Sequence, residues 1–234
     1  MSSPQTNTRF KGRFITFEGG EGVGKSTNIG FAKDWLEAHG KTVVVTREPG
    51  GTPIAEKIRN DLLKAHHEEP MADLTELLLV FAARAQHIES VIRPALERGD
   101  WVLCDRFTDS TIAYQGYGRG LPLEQIDALR KLVQQHVSPD CTLLLDAPLT
   151  VGMGRASRRA AENNEQTDRF ESEATAFFEK VREGFLALAA SESRFELIDA
   201  SQSLDTVQQA VELQLEKQLA KQLEQVTQTV GAKA

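Results

Sequence analysis

Gly19-Gly20-Glu21-Gly22-Val23-Gly24-Lys25-Ser26 lies between the apolar run of Phe14, Ile15 and Phe17 and an amphipathic stretch that opens at Ser26 or Thr27. These eight residues fit the pattern GxxxxGK[ST] in a strand, loop, helix setting. Glycines let successive backbone N–H groups turn inward on phosphate oxygens, and the helix N-terminus adds the positive end of its dipole. Lys25 would reach the β- and γ-phosphates and Ser26 would offer a hydroxyl to Mg²⁺. Gly19, Gly20, Glu21, Gly22, Val23, Gly24, Lys25, Ser26 and Thr27 are therefore expected to bind ATP or GTP.

Outward from this loop, short β-rich runs near 13–18, 41–46, 101–105, 141–146 and 194–198 alternate with stretches whose apolar residues recur every three or four positions. That alternation predicts a five-stranded parallel sheet flanked by helices. Ile29, Ala32 and Leu36 form one helical stripe, which Gly40 would end. Ile54, Ile58 and Leu62 form another after Thr52-Pro53, a cap and first-turn pair. The longest helical pattern covers 73–97, with Leu77, Phe81, Ile88 and Ile92 inward and Pro94 placed to kink or end it. Its stripe fits either the core or a subunit interface. Ile126, Leu129 and Val133 mark a further helix, and Phe177, Val181, Phe185 and Leu188 one more. The Arg- and Glu-rich segment 155–169 reads as a mobile surface flap. After Ser203, Val207, Val211, Leu215, Leu219 and Leu223 repeat at four-residue intervals, as in an amphipathic terminal helix. The expected division is a polar extension over 1–12, one domain over 13–215 with a lid at about 152–172, and a helical tail over 216–234.

The 234 residues, 40% hydrophobic and 26% charged, suffice for one substantial α/β core. A formal net charge of −7 argues against a nucleic-acid partner, so any anion site must be local. Cys104 and Cys141 each sit in an apolar run without metal-ligand spacing and read as buried free thiols. With no long apolar span and a polar start, a cytoplasmic protein without a membrane partner is expected.

A phosphate loop alone does not name a reaction. Four more segments narrow it: Thr46-Arg47-Glu48-Pro49-Gly50-Gly51-Thr52, Phe81-Ala82-Ala83-Arg84, Asp105-Arg106-Phe107 and Ala113-Tyr114-Gln115-Gly116. In an open parallel sheet, ligands bind at the carboxyl edge, where the cited strand ends lie. With the loop, these segments resemble bacterial thymidylate kinases over roughly residues 13 to 200. The resemblance implies a P-loop NTPase-type three-layer α/β/α fold with a helical lid, transfer of phosphate from ATP to dTMP with Mg²⁺, and a homodimer.

Carried onto this chain, the resemblance implies that Glu21 reaches the deoxyribose 3′-hydroxyl. Arg106 would grip the acceptor phosphate, with Asp105 near the metal beside Ser26; an Asp-Arg pair at a strand end can equally be a structural ion pair. Arg47, Glu48, Pro49 and Arg59 match positions lining the acceptor site. Arg84 matches the arginine that reads thymine, and Thr111 and Gln115 match contacts to its edge. Tyr114 matches a residue that crowds a ribose 2′-hydroxyl, or is an ordinary half-buried tyrosine. Many relatives place a phenylalanine four residues before the base-reading arginine; this chain has Val80 there, with Phe81 beside it. Either Val80 or Phe81 would contact the base; Phe81 is included among the acceptor residues, with a place in the core as its alternative.

Arg155, Arg158, Arg159 and Arg169, with Asp168-Arg169-Phe170-Glu171, resemble the lid. One class of these kinases carries a P-loop arginine where this chain has Gly22, so a lid arginine is expected to substitute. Lys25, Arg106, Arg158 and Arg169 are thus the expected catalytic cations. The rivals are a kinase of the same core acting on another nucleoside or monophosphate, and a GTPase-like switch or ATP-dependent binding module. An NKxD guanine-reading motif is absent from the sequence.

Overall fold

The structure is a computed structural model and describes residues 10–163, 169–170 and 173–231. Its five strands are β1 (Arg13–Glu18), β2 (Val43–Arg47), β3 (Trp101–Asp105), β4 (Cys141–Asp146) and β5 (Phe195–Asp199). All pair in parallel, in the order β2-β3-β1-β4-β5. β1 lies at the centre, and the chain crosses it between β3 and β4. The loop after β1 therefore opens where the strand order reverses, the crevice in which such sheets bind ligands.

Alternation along β1 divides the core. Ile15 and Phe17 face α1 (Lys25–Ala38) and α9 (Leu204–Gly231), packing with Ile29, Leu36, Val211 and Leu215. Phe14 faces the other way, toward Ile88, Ile92 and Leu96. Helices thus cover both faces of the sheet in three layers. α2 (Pro53–Lys57) begins as its sequence predicts, with Pro53 in the first turn and Thr52 Oγ1 accepting from Ala55 N at 3.1 Å. Cys104 and Cys141 are free and buried, and burial pushes the Cys141 thiol up to about 12.

The long helix expected over 73–97 is three pieces: α3 (Asp73–His87), a π-helical turn (Ile88–Ile92) and α4 (Arg93–Arg98). Pro94 has no N–H and its ring crowds the preceding turn, so the helix widens before it instead of stopping. A second π segment, Ile112–Gly118, follows the short α5 (Thr108–Thr111) and carries Tyr114 and Gln115. α6 (Leu123–Gln134) and α8 (Thr175–Ser191) fall on their predicted stripes.

The segment read as a flap takes the helical form that the family resemblance implies for the lid. α7 (Leu149–Asn163) is a regular helix through most of it. Ala, Arg and Glu are strong helix formers, and the sparse apolar content reflects one-sided packing through Leu149 and Met153. α9 runs unbroken across the expected division at 215. Beyond it, Gln218 is buried, and Gln222 accepts from Lys41 Nζ and Trp101 Nε1 while donating to Lys11 O.

Candidate active site

A cavity of about 530 Å³ opens at the carboxyl edge of the sheet. Glu21, Gly22, Val23, Gly24, Lys25, Ser26 and Thr27 form one wall, and Arg47, Glu48, Pro49, Arg59, Arg84, Asp105, Arg106, Thr111, Tyr114 and Gln115 line the rest. Gly19 and Gly20 border a smaller apolar cavity behind the loop. Lys25, Arg47, Arg59, Lys64, Arg84 and Arg106 outnumber the carboxylates of Glu21, Glu48 and Asp105 in the larger cavity. A chain of negative net charge thus concentrates a cationic site where the phosphate loop lies. Lys25 Nζ donates to Gly19 O and Gly20 O at 3.2 and 2.8 Å. Burial and the Arg106 charge hold its ammonium below the usual lysine range.

Gly22 explains why this loop carries no arginine. It has φ +70°, and a Cβ there would lie 1.9 Å from Gly152 O of α7; a Cβ on Gly152 would lie 2.5 Å from Glu21 O. The lid helix rests backbone to backbone on the loop, and only a pair of glycines permits that approach.

Arg106 follows β3 with φ 66°, the left-handed region that costs a non-glycine residue energy and marks functional sites. Its N–H donates to Phe17 O, its Nη1 to Gly19 O at 2.9 Å and Ser110 Oγ at 3.1 Å, and its Nη2 to Glu21 Oε1 at 2.6 Å. The guanidinium lies over the Tyr114 ring, whose hydroxyl donates to Glu21 at 3.3 Å. Burial opposes the guanidinium's charge, but Tyr114, Glu21, Asp105 and Glu18 hold it above the ordinary arginine range.

Glu18, which the sequence reading passed over, fixes this turn. It is fully buried and accepts from Phe107 N at 2.7 Å and Ser110 Oγ at 2.6 Å. Burial, then the charge of Asp109, pushes its carboxyl from 4.5 to about 8. Between those values the unfolded chain releases the Glu18 proton while the folded chain keeps it, so stability is full below the lower value and falls as pH rises toward the upper. Thermal unfolding of Glu18→Gln from about pH 5 to about pH 8 is expected to fall less steeply with pH than that of the parent. Parallel curves would assign the slope to other groups.

On the opposite wall, Glu48 is buried and both its oxygens are engaged: Arg84 Nε donates to Oε2 at 2.6 Å and His87 Nδ1 pairs with Oε1 at 2.9 Å. Glu48 therefore positions Arg84, although it borders the cavity. Burial opposes its charge, but Arg84 and His87 hold it below the usual carboxylate range. Arg84 Nη2 donates to Thr111 Oγ1 at 2.9 Å, while its buried Nη1 has no hydrogen-bond partner among the described residues. Gln115 Nε2 donates to the buried Glu76 at 2.7 Å.

Three expected site residues stand elsewhere. Phe81 is absent from the cavity wall; it packs with Leu77 and Ile126 in the core beneath the Arg84 guanidinium, and Val80 lines the cavity. Adjacent helical positions face about 100° apart, and the 77/81 stripe meets α6. Arg169 does not border the cavity: its Nη2 donates to Glu76 and its Nε to Leu63 O at 3.0 Å. Arg158 is exposed on α7 beside Glu162. Arg155 donates to Ala200 O. The Arg159 side chain, Asp168 and Glu171 lie outside the described residues. Among the described residues, no lid arginine borders the larger cavity, and the lid helix meets the phosphate loop at Gly22.

A family model described as thymidylate kinase matches residues 17–211. The thymidylate kinase of Chromohalobacter salexigens is 57% identical over 89% of this chain and 97% of its own, and that of Alcanivorax borkumensis 59% over 85% and 93%. The chain belongs to the thymidylate kinase family. The crystal structure of thymidylate kinase from Ehrlichia chaffeensis superposes with a TM-score of 0.67 at 36% identity, covering 89% of this chain and 98% of that one. Two buried acids that position thymidylate kinase side chains here, Glu18 and Glu76, had a signal in the sequence: each is a carboxylate placed within an otherwise inward-facing apolar pattern.

Proposed function

We propose that the chain transfers the γ-phosphoryl group of ATP to dTMP, giving dTDP and ADP on the route to dTTP. The observation that carries this reading is the placement of Arg84, with one unpartnered N–H group, in the same cavity as the phosphate loop and Arg106. The loop N–H groups and Lys25 hold the donor phosphates. The dTMP phosphate, already anionic at neutral pH, is the nucleophile, so no general base is required. Arg106 neutralises charge between donor and acceptor, and Arg47 and Arg59 border the acceptor side. Arg84 donates to the thymine edge with Thr111 and Gln115 beside it, while Glu21 accepts from the 3′-hydroxyl and Tyr114 closes the space a 2′-hydroxyl would need. Closure of α7 over the loop excludes water and limits ATP hydrolysis. Among the described lid arginines Arg158 is the most exposed for this role, whereas Arg169 would first have to leave Glu76.

Mg²⁺ fits the residues present. Asp105 Oδ1 is buried without a hydrogen-bond partner among the described residues, and the exposed Ser26 stands across the same cavity. No cluster of three or more His, Cys, Asp or Glu that could hold a metal occurs among the described residues. Ser26 and Asp105 would hold the ion together with phosphate oxygens, where it would neutralise charge on the transferring group.

Release of ADP should be measured with dTMP, dUMP, dCMP, dGMP and thymidine as separate acceptors. Turnover confined largely to dTMP is expected. Preference for another monophosphate would keep the kinase and discard the base assignment; hydrolysis indifferent to acceptor would favour a switch or binding module.

The homodimer belongs to the same proposal. α3 turns Leu77 and Phe81 toward α6 but leaves Leu74 and Leu78 about half exposed, one helical turn apart. A second copy seated on that face would bury both. Leu78→Glu is expected to shift sedimentation from dimer to monomer; an unchanged dimer would place the interface elsewhere. No helix among the described residues is long and apolar enough to cross a membrane. Use of ATP and dTMP is compatible with the cytoplasmic location expected from the sequence.

A further inference from the structure

We propose that His87 is a positioning residue that sets the acceptor-base selectivity of Arg84. His87 is fully buried at the end of α3 and does not itself line the cavity, but it bonds Glu48, which does. It ties α3 to the end of β2 and the turn that follows. Its Nε2 meets Thr46 Oγ1 at 2.6 Å, at the end of β2, and its Nδ1 meets Glu48 Oε1 at 2.9 Å, in the turn that follows. Glu48 Oε2 in turn receives Arg84 Nε, and Arg84 Nη2 is tied to Thr111.

Hydrogen-bond roles follow from the carboxylate. Ionised Glu48 only accepts, so His87 Nδ1 donates to Oε1, while Nε2 pairs with the Thr46 hydroxyl. Rotation of the imidazole breaks both bonds at once. Gly51 prevents it: with φ +82°, its backbone lies so close that an added Cβ would stand 2.5 Å from His87 Nε2 and 2.6 Å from Thr46 Oγ1. The order hydroxyl, imidazole, carboxylate is that of an activated nucleophile, but the Gly51 backbone covers the hydroxyl, which leaves a structural relay.

Every N–H of the Arg84 guanidinium group that has a protein acceptor is held by Glu48 or Thr111. Among the described residues Nη1 has no acceptor and so is open to a ligand, and its direction is set by how Glu48 is held. Without His87, Glu48 retains one partner and is free to turn, and Nη1 turns with it. Misdirecting one donor discriminates among bases more than it weakens phosphate binding.

This inference rests on Arg84 reading the base, so Arg84→Met is measured beside His87→Leu. His87→Leu is expected to raise KM for dTMP by about tenfold and to reduce the preference for dTMP over dCMP by a similar factor. KM for ATP should stay unchanged, which also shows that the variant is folded. In the Arg84→Met background, His87→Leu should add little, because neighbours in one network are not additive. If His87→Leu does not fold, Thr46→Val, which removes only the partner of Nε2, is read by the same split. Selectivity lost in Arg84→Met but kept in the relay variants overturns the proposal and leaves Arg84 as the base reader. Selectivity kept in all of them overturns both. Equal rises in both KM values, or additive losses in the double variant, would reduce His87 to packing.

Discussion

Arg106→Ala is expected to lower turnover with ATP and dTMP by about 10²- to 10³-fold, the range for removing one preorganised donor to transition-state charge. The fold should survive. The backbone N–H of residue 106 still donates to Phe17 O, and Glu18 still holds Phe107 N and Ser110 Oγ. What disappears is a guanidinium held against Gly19 O and Glu21 within the wall shared by donor and acceptor. Arg106→Lys separates charge from shape: it retains one positive charge but not the planar fork that matches phosphate, so it should recover only part of the loss. Rapid-quench and steady-state rates, with far-ultraviolet circular dichroism as the folding check, decide the matter. Near-normal turnover in Arg106→Ala would mean that the Asp105-Arg106 pair is structural.

Lys25→Ala is expected to cost about 10²-fold or more in kcat/KM for ATP, for a different reason. Among the described residues Lys25 Nζ hydrogen-bonds only the carbonyls of Gly19 and Gly20, so its removal breaks no ion pair there and leaves no carboxylate stranded. The loss therefore reports on nucleotide phosphates. Calorimetric binding of dTMP without nucleotide should be little changed, since Arg84, Arg59 and Tyr114 lie on the acceptor side. Equal loss of dTMP and ATP binding would point to collapse of the loop and would undo the assignment of Lys25 to the donor.

The placement of these two residues at the cavity was readable in advance because it follows from chain-local rules. A loop after a buried strand, a lysine and hydroxyl at the helix start, and an arginine at a strand end all announce themselves within a few positions. The strands were legible for the same reason: Phe14 to Phe17 alternates between two apolar layers, and the sheet order places the loop after β1 at the reversal point. Helical continuity was less legible. Pro94 was expected to kink or end the helix, and the outcome, a widened turn, depends on α4 packing against the sheet through Ala95 and Leu96. The 155–169 segment, read as a flap from its charge density and as a helical lid from the resemblance, is helical through most of its length because strong helix formers there have an apolar neighbour on one face.

By itself, then, the sequence determined the parallel α/β architecture, the phosphate loop, and which side chains could stand around it, since each of these depends on short-range periodicity or motif. Only the tertiary structure decided how they are used. It placed Phe81 in the core and Val80 at the cavity, assigned both Glu48 oxygens to Arg84 and His87, tied Arg169 to Glu76, and pressed Gly152 onto Gly22. The physical reason is common to all four. Buried charges must find partners and backbones must find space, and both come from residues distant in the chain.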